Sequence, residues 1–223
     1  GKNFVITNRY KSITPIDSLF KECSTEEAQR EEYMKGGGSH LLISILERFL
    51  KRILEKTDEI SNDVGFVEKE IFTEQDRKII EKISYLKRRI ISFWRAVDPQ
   101  REIFYSLKTM NGDYFNKEHK HYFSELFRMY ARIDNYLKTL KDTIESLEQT
   151  NHGIINLKRN ETMKILTIFS VILMPLTLLA SIWGMNTTLL PLRQFSFDFW
   201  IITGVMLAMS GIMLWYFKLK KWL

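Results

Sequence analysis

The chain has 223 residues, with 33 Lys and Arg, 27 Asp and Glu, and a formal net charge of +6. Residues 160–223 hold only five of the basic and two of the acidic residues, so a charged part precedes an apolar part. The cations of the charged part are interleaved with anions, as on a solvated helix face, which argues against nucleic-acid binding. The single cysteine, Cys23, excludes an intrachain disulfide and a cysteine-rich metal site, and it fits a reducing compartment.

The first forty residues show weak local signals. Phe4–Thr7 is a candidate edge strand, Pro15–Cys23 a candidate short helix, and Gly36–Gly38 a candidate flexible break. No Lys-Ser/Thr follows these glycines, so they do not predict a phosphate site. The chain opens with Gly-Lys-Asn-Phe-Val-Ile-Thr, as if within a domain, and we therefore expect a fragment of a longer protein.

Amphipathic periodicity predicts three helical runs after this break. Apolar residues recur at steps of three and four over His40–Phe72 and again over Glu74–Val97. The second run is expected to stop at Asp98-Pro99, because the residue before a proline disfavours the helical conformation. A third run begins near Lys117 and meets no proline before Pro175, so one helix could continue unbroken from water into a membrane.

Two segments of the last quarter are long and apolar enough to cross a bilayer. Ile165–Trp183 and Phe199–Phe217 each contain nineteen residues without a charge, close to the roughly twenty that a bilayer core requires. Two buried helices of a soluble core are the alternative. Basic residues flank the outer ends of both spans and the intervening loop holds only Arg193, so the positive-inside rule places both termini in the cytoplasm.

A polar stripe follows the first span. Small residues on a membrane helix favour close packing against another helix, whereas hydroxyls and thioethers can also line a pore. The spacing alone leaves both interpretations open. The second span has scattered small residues instead and is expected to face lipid. The stripe alternates steps of three and four residues, which keeps its members on one helix face: Asn160, Met163, Thr167, Ser170, Met174, Thr177 and Ser181.

Other chemistry is weakly signalled. His119 and His121 have the spacing of a metal-ligand pair, but their charged surroundings favour surface histidines. No nucleophile, base and orienting acid are grouped in the sequence, so an enzyme is not expected.

Gly184-Met185-Asn186 comes directly after the first span, and here the sequence strongly resembles the CorA family of Mg²⁺ channels. Asn160–Ile168, Met174–Thr177 and the basic tail Tyr216–Leu223 also look like the corresponding parts of the family, and Asp98–Arg101 resembles it more loosely. Two departures are visible. A tryptophan precedes the signature where the family usually has Tyr or Phe, and the outer loop lacks the acidic residues often found there.

The resemblance implies a mainly α fold assembled as a homopentamer. Residues 1–39 would be the remnant of a cytoplasmic α/β domain, residues 40–159 a helical stalk, and residues 160–223 the transmembrane pore domain, with spans at about 164–183 and 199–217. Gly184, Met185 and Asn186 would form the selectivity filter, where Asn186 holds hydrated Mg²⁺. The pore-lining and gating residues would be Asn160, Met163, Leu166, Thr167, Ser170, Met174 and Thr177.

The function implied by the resemblance is passive conduction of Mg²⁺ across the cell membrane, with Co²⁺ and Ni²⁺ as further candidates and no organic cofactor. The expected partners are other copies of the chain, the lipid bilayer and divalent cations. Glu125 falls where the family has a regulatory Mg²⁺-sensing acid, although a solvated helix residue is the alternative. The competing functions are a Zn²⁺ transporter of the ZntB-like branch and a membrane-anchored helical scaffold that transports nothing.

Overall fold

The computed structural model describes residues 1, 3–72, 76–110, 117–185 and 197–222. These residues form two compact units, Gly1–Asn151 and His152–Leu223. The predicted mainly α class is confirmed, since the described residues contain no strand. Their helices are α1 (Thr14–Thr25), α2 (Glu27–Met34), α3 (Gly37–Glu70), α4 (Asp76–Val97), α5 (Gln100–Thr109), α6 (Lys117–Gly184) and α7 (Asp198–Leu219).

The edge strand predicted at Phe4–Thr7 is wrong, and the described part of the chain shows no β component of an α/β remnant. A strand needs a neighbouring strand to satisfy its backbone groups, and only helices lie within the described part of the first unit. The segment instead lies against the start of α3. A Cβ on Gly38 would come within 2.4 Å of the Gly1 carbonyl oxygen and 2.8 Å of the Phe4 carbonyl oxygen, so this close approach requires glycine.

The short helix predicted at Pro15–Cys23 is confirmed as α1, and the chain breaks between α2 and α3 as the glycines indicated. Gly37 has a φ of 72°, in the left-handed region that favours glycine. Arg48 of α3 joins these helices, because its guanidinium donates to Glu22 of α1 and, over 2.9 Å, to the Tyr33 hydroxyl of α2. The hydrogen bond to Glu22, followed by that to Tyr33, raises the pKa of Arg48 above its ordinary value.

The core of the first unit lies where α3, α4, α5 and the first part of α6 meet. Helices α3, α4 and α6 carry the apolar period that predicted them, and burying one such side chain contributes about 1.5–3 kcal/mol. Helix α5 was not predicted, because Asp98-Pro99 reads as a stop and the run that follows is short. The buried residues of this core are Ile43, Leu50, Val97, Phe104, Phe123, Leu126, Tyr130, Ile133 and Leu137.

Helices α6 and α7 are the described helices long and apolar enough to cross a membrane. Helix α6 continues through Pro175 without interruption. Proline cannot donate to the carbonyl four residues earlier, a loss that membrane helices tolerate because neighbouring groups compensate it. The second unit consists of the remainder of α6 together with α7.

Candidate functional site

The polar stripe on α6 lies on the exposed part of the helix surface. Met174 is 79% exposed and Met163 is 53% exposed. Three hydroxyl residues between and beside these methionines are exposed as well: Thr167, Ser170 and Thr177. Asn160, at the start of the stripe, and Leu166, beside it, are exposed too. The residues that the sequence singled out as a pore wall therefore share one open face within the second unit.

A different face of α6 borders the end of α7, where Ile168 lines a groove together with Leu214 and Trp222. Ile168 is only 6% exposed, and Lys164, Ile172 and Leu179, which follow the same helical spacing, are half-buried. The Lys164 amine donates a hydrogen bond to the Lys221 backbone carbonyl just beyond α7, over 3.2 Å. Since Leu214 and Trp222 meet α6 on this apolar face, that contact does not account for the polar stripe.

The hydroxyls of the stripe all donate inward to their own helix. Thr167 donates to the Met163 carbonyl over 2.8 Å, and Ser170 donates to the Leu166 carbonyl over 2.9 Å. Thr177 and Ser181 repeat the pattern four residues back along the helix, each over 2.8 Å. A hydroxyl has one proton and two lone pairs, so each oxygen retains acceptor capacity for the exposed side.

The signature segment lies at the end of α6. Gly184 is its last residue, and the Met185 backbone N–H donates to the Ile182 carbonyl over 3.2 Å. The Met185 side chain is exposed, whereas the Trp183 indole nitrogen is buried without a hydrogen-bond partner among the described residues. Asn186, the predicted ligand of hydrated Mg²⁺, lies outside the described residues.

Glu125 lies on the exposed surface of α6 among basic neighbours. Its carboxylate is 3.4 Å from His121 Nε2 and 3.2 Å from an Arg128 guanidinium nitrogen. The described parts of the chain bring no three His, Cys, Asp or Glu side chains together as a metal site. His121 and Glu125 therefore contact each other, and within one copy of the chain neither belongs to a metal-ligand cluster.

Sequence reasoning missed a buried carboxylate at Asp134 of α6. Its oxygens accept hydrogen bonds from Trp94 Nε1 of α4 over 3.2 Å, from Arg101 of α5 over 2.6 Å and from Lys138 of α6 over 2.8 Å. Burial alone raises the pKa of Asp134, but the bonds from Lys138, Arg101 and Trp94 outweigh it, so the pKa lies below its ordinary value. This polar cluster ties three helices together.

Tyr130 reinforces the same junction one turn earlier on α6. Its hydroxyl donates to the Val97 and Asp98 carbonyls at 3.2 and 3.1 Å, and its ring stacks on Phe104 with centroids 5.2 Å apart. The carbonyls at the end of α4 are among those that a helix leaves without an internal partner, and Tyr130 satisfies them. The loosely family-like Asp98–Arg101 segment thus holds α5 against α6.

A family model described as "CorA-like Mg2+ transporter protein" matches residues 1–220. The chain belongs to the CorA family. The resemblance drawn from the signature and the first span is confirmed. With two helices able to cross a membrane, the chain is an integral membrane protein.

Individual relatives agree with this membership. The chain is 28% identical over 189 residues to the cobalt/magnesium transport protein CorA of Thermotoga maritima, covering 85% of this chain and 54% of the relative. It is 25% identical over 224 residues to the cobalt/magnesium transport protein CorA of Methanocaldococcus jannaschii, covering 99% of this chain and 69% of the relative. The chain thus spans about half of the Thermotoga CorA protein.

The fold is similar to that of a solved CorA structure. The CorA magnesium transporter from Methanocaldococcus jannaschii superposes with a TM-score of 0.86 at 23% sequence identity, covering 96% of this chain and 67% of the solved one. At this identity the likeness establishes the fold alone. The chain therefore has the fold of a CorA protein.

Proposed function

We propose that the chain forms the conducting part of a Mg²⁺ channel in the cell membrane, as a homopentamer around an axis lined by α6. The observation that carries the proposal is the polar stripe, which is exposed while the end of α7 borders a different face of α6. Hydroxyls facing only lipid would gain nothing from their remaining lone pairs. Around a shared axis the same groups face water and the copies of the stripe face one another.

The chemistry of this wall suits a hydrated cation. Mg²⁺ gives up its water ligands reluctantly, so it is expected to pass with much of its hydration shell. Waters bound to a cation point their hydrogens outward. The Thr167, Ser170 and Thr177 oxygens can accept those hydrogens, because their own protons are held by the helix backbone. A direct carboxylate ligand, which would hold the ion, is not needed along this wall.

Two methionines narrow the proposed path. Met163 and Met174 are exposed on the stripe and separate the hydroxyl residues. A ring of thioethers offers only weak acceptors, so water is less stable there than beside the hydroxyls. Hydrophobic constrictions of this kind can gate a channel by dewetting. Asn160 and Leu166 complete the set of proposed constrictions.

We assign the selection of the ion to the Gly184-Met185-Asn186 segment at the end of the first span. Five copies of Asn186 would surround the outer mouth with neutral amide oxygens, which bind a hydrated cation through its waters without trapping it. Transport needs no nucleotide, since a membrane potential of 100 mV supplies about 4.6 kcal/mol for a doubly charged ion. Both termini would be cytoplasmic, as the flanking lysines indicate.

The test is Mg²⁺ uptake into liposomes that contain the purified chain and a Mg²⁺-sensitive dye, with an inside-negative potential. Ser170→Leu places an apolar group on the stripe and is expected to abolish uptake, whereas Ser170→Thr keeps the hydroxyl and retains it. Ala208→Leu, on an exposed part of α7, adds similar bulk and should leave uptake unchanged.

Uptake that survives Ser170→Leu would contradict the proposed path. A chain that moves no cation even as the wild type, with normal folding, would favour the scaffold alternative. Competition by Co²⁺, Ni²⁺ and Zn²⁺ in the same assay ranks the ions, and a preference for Zn²⁺ over Mg²⁺ would favour the ZntB-like alternative.

A further inference from the structure

An apolar groove lies between α6 and α7 in the second unit. Its volume is about 330 Å³. On α6 it occupies a face separate from the polar stripe, so the proposed ion path leaves it unused. The side chains that line it include Ile165, Ile168, Phe169, Leu173, Leu214 and Trp222.

The end of α7 folds Trp222 back over this groove. The Lys221 N–H donates to the Lys218 carbonyl over 3.1 Å, and the Trp222 N–H donates to the Phe217 carbonyl over 3.0 Å. The Trp222 ring stacks on Phe217 with centroids 5.8 Å apart. Both hydrogen bonds and the apolar contact are those of the Schellman motif, in which one residue takes a left-handed conformation.

Lys221 is that residue, with a φ of 54°. Glycine is the usual residue at this position, and a side chain there costs about 1–2 kcal/mol. Unlike glycine, Lys221 adds an amine on the residue that directly precedes Trp222, and Trp222 lines the groove. The Lys164 amine lies close by, since it donates to the Lys221 carbonyl over 3.2 Å.

The end of the hairpin at which the groove lies is strongly basic. Lys164 precedes the first span, and Lys218, Lys220 and Lys221 follow the second, so all four belong to the same end of the hairpin. Within the described residues no carboxylate pairs with these four amines. Of the two acidic residues in 160–223, only Glu161 belongs to the end of the hairpin that carries these lysines.

We infer that the groove binds one acyl chain of an anionic phospholipid from the surrounding bilayer, whose phosphate lies between Lys164 and Lys221. An apolar groove at membrane depth with amines at the interface matches both parts of such a lipid. Lysine side chains at the ends of spans extend toward the interface, and basic pockets between spans bind anionic headgroups. The inference depends on membrane insertion and does not depend on ion conduction.

The test measures lipids retained by the purified intact chain in native mass spectrometry, after exposure to equal amounts of phosphatidylglycerol and phosphatidylcholine. The wild type is expected to retain phosphatidylglycerol preferentially. Lys221→Gly keeps the turn, since glycine suits its backbone, and should lower that preference about fivefold, the contribution of one lysine near an anionic surface. Lys21→Gln removes the same charge from the exposed surface of the first unit and should change nothing.

A second variant tests the groove itself. Leu173 lines it and is 55% exposed, so Leu173→Trp fills the groove without disturbing a buried contact. This variant should retain neither lipid while its helix content stays normal. A wild type that retains both lipids equally, a Lys221→Gly chain with the wild-type preference, or lipid retained by Leu173→Trp would each overturn the inference.

A second copy of the chain is the other possible occupant of the groove. A spin label on Phe169→Cys, in a Cys23→Ser chain in bilayers, distinguishes it from lipid, and it replaces a groove side chain that is already large. Relaxation by a lipid-soluble paramagnetic agent is expected if lipid fills the groove. A label that is immobile and shielded from this agent would mean that a second copy covers the groove, and the inference would be wrong.

Discussion

The Arg101 guanidinium lies 2.6 Å from a carboxylate oxygen of Asp134, and the Asp134 side chain is fully buried while that of Arg101 is 54% exposed. The carboxylate is therefore held inside the helix bundle by a cation that is itself hydrated. Lys138, also partly exposed, approaches the same oxygen at 2.8 Å. Burying both charges of an ion pair would be costly. Here only the carboxylate is buried, and cations at the surface supply its hydrogen bonds.

Replacing Asp134 with Asn should loosen the junction of α4, α5 and α6. The amide keeps the shape but removes the charge that receives two charged donors, and hydrogen bonds to charged groups contribute about 1.5–3 kcal/mol each. We expect amides in α5 and in the facing part of α6 to exchange faster, with a local opening free energy lower by about 2 kcal/mol. Hydrogen–deuterium exchange of these amides measures the opening free energy.

Asp142→Asn is the matched control. It makes the same substitution two turns further along α6, at an exposed residue. Equal exchange in both variants would contradict a special role for the buried carboxylate.

The same carboxylate should make the first unit sensitive to acid. The pKa of Asp134 is lower in the folded chain than in the unfolded one, so its stabilising contribution is complete above the unfolded value of about 3.9. This contribution is lost as the pH falls through the pKa of Asp134 in the folded chain, because the unfolded chain binds the proton more readily. The opening free energy of α5, obtained from amide exchange corrected for the intrinsic rate at each pH, should fall less in Asp134→Asn than in the wild type as the pH is lowered from 6. Identical pH profiles would contradict the prediction.

Tyr130→Phe tests the hydroxyl that caps α4. It leaves the stacking on Phe104 intact but leaves the Val97 carbonyl, which lies in the core, without its donor. An unsatisfied buried polar group costs about 1–3 kcal/mol, so unfolding of the first unit should require less denaturant. Tyr136→Phe makes the same change at a half-buried tyrosine for which the structure gives no hydroxyl partner, and it should be nearly neutral.

Met174→Ser should increase Mg²⁺ flux if the thioethers form a dewetted constriction. The hydroxyl stabilises water at that level, and a barrier lower by about 1.4 kcal/mol corresponds to a tenfold faster flux. Dye-detected uptake in liposomes measures it. Met206→Ser, on α7, is the control and should leave the flux unchanged. A reduced or unchanged flux in Met174→Ser would argue against a gate at this residue.

Asn186→Ala should reduce ion selection, because it would remove the amide oxygens that we propose accept hydrogens from the hydrated ion. We expect Mg²⁺ uptake to fall at least about tenfold, which corresponds to 1.36 kcal/mol in the barrier. The assembly should remain intact by size-exclusion chromatography. Asn135→Ala, on the exposed surface of the first unit, should transport normally. Normal uptake in Asn186→Ala would refute the assigned role.

Local periodicity predicted most of the helices but not the contacts that join them. The apolar steps of α3 and α4 are repeated over many turns, so the structure confirms both runs. Helix α5 escaped notice because a proline precedes it and it has only ten residues. Asp134 looked like one more charge on a solvated helix, since its partners Arg101 and Trp94 lie 33 and 40 residues away in the sequence.

The polar stripe shows the same limit, because residue spacing predicts a shared helix face but not what packs against that face. Its spacing established that Thr167 and Ser170 share a face, but not whether that face packs against α7. The second span offered no apolar period from which its packing surface could be predicted, because it is apolar all round. Only the structure shows that Ile168, rather than the hydroxyls, is buried and lines the groove shared with Leu214 of α7.

The inward-donated hydroxyls of α6 also bear on proton leakage. A chain of hydroxyls relays protons when each member can accept one from its neighbour and pass one on. Ser170 and Thr177 hold their protons on the Leu166 and Leu173 carbonyls, so each link would first have to break a bond within the helix. The wall of such a conduit would accept hydrogens from the waters of a metal ion without itself relaying protons along its length.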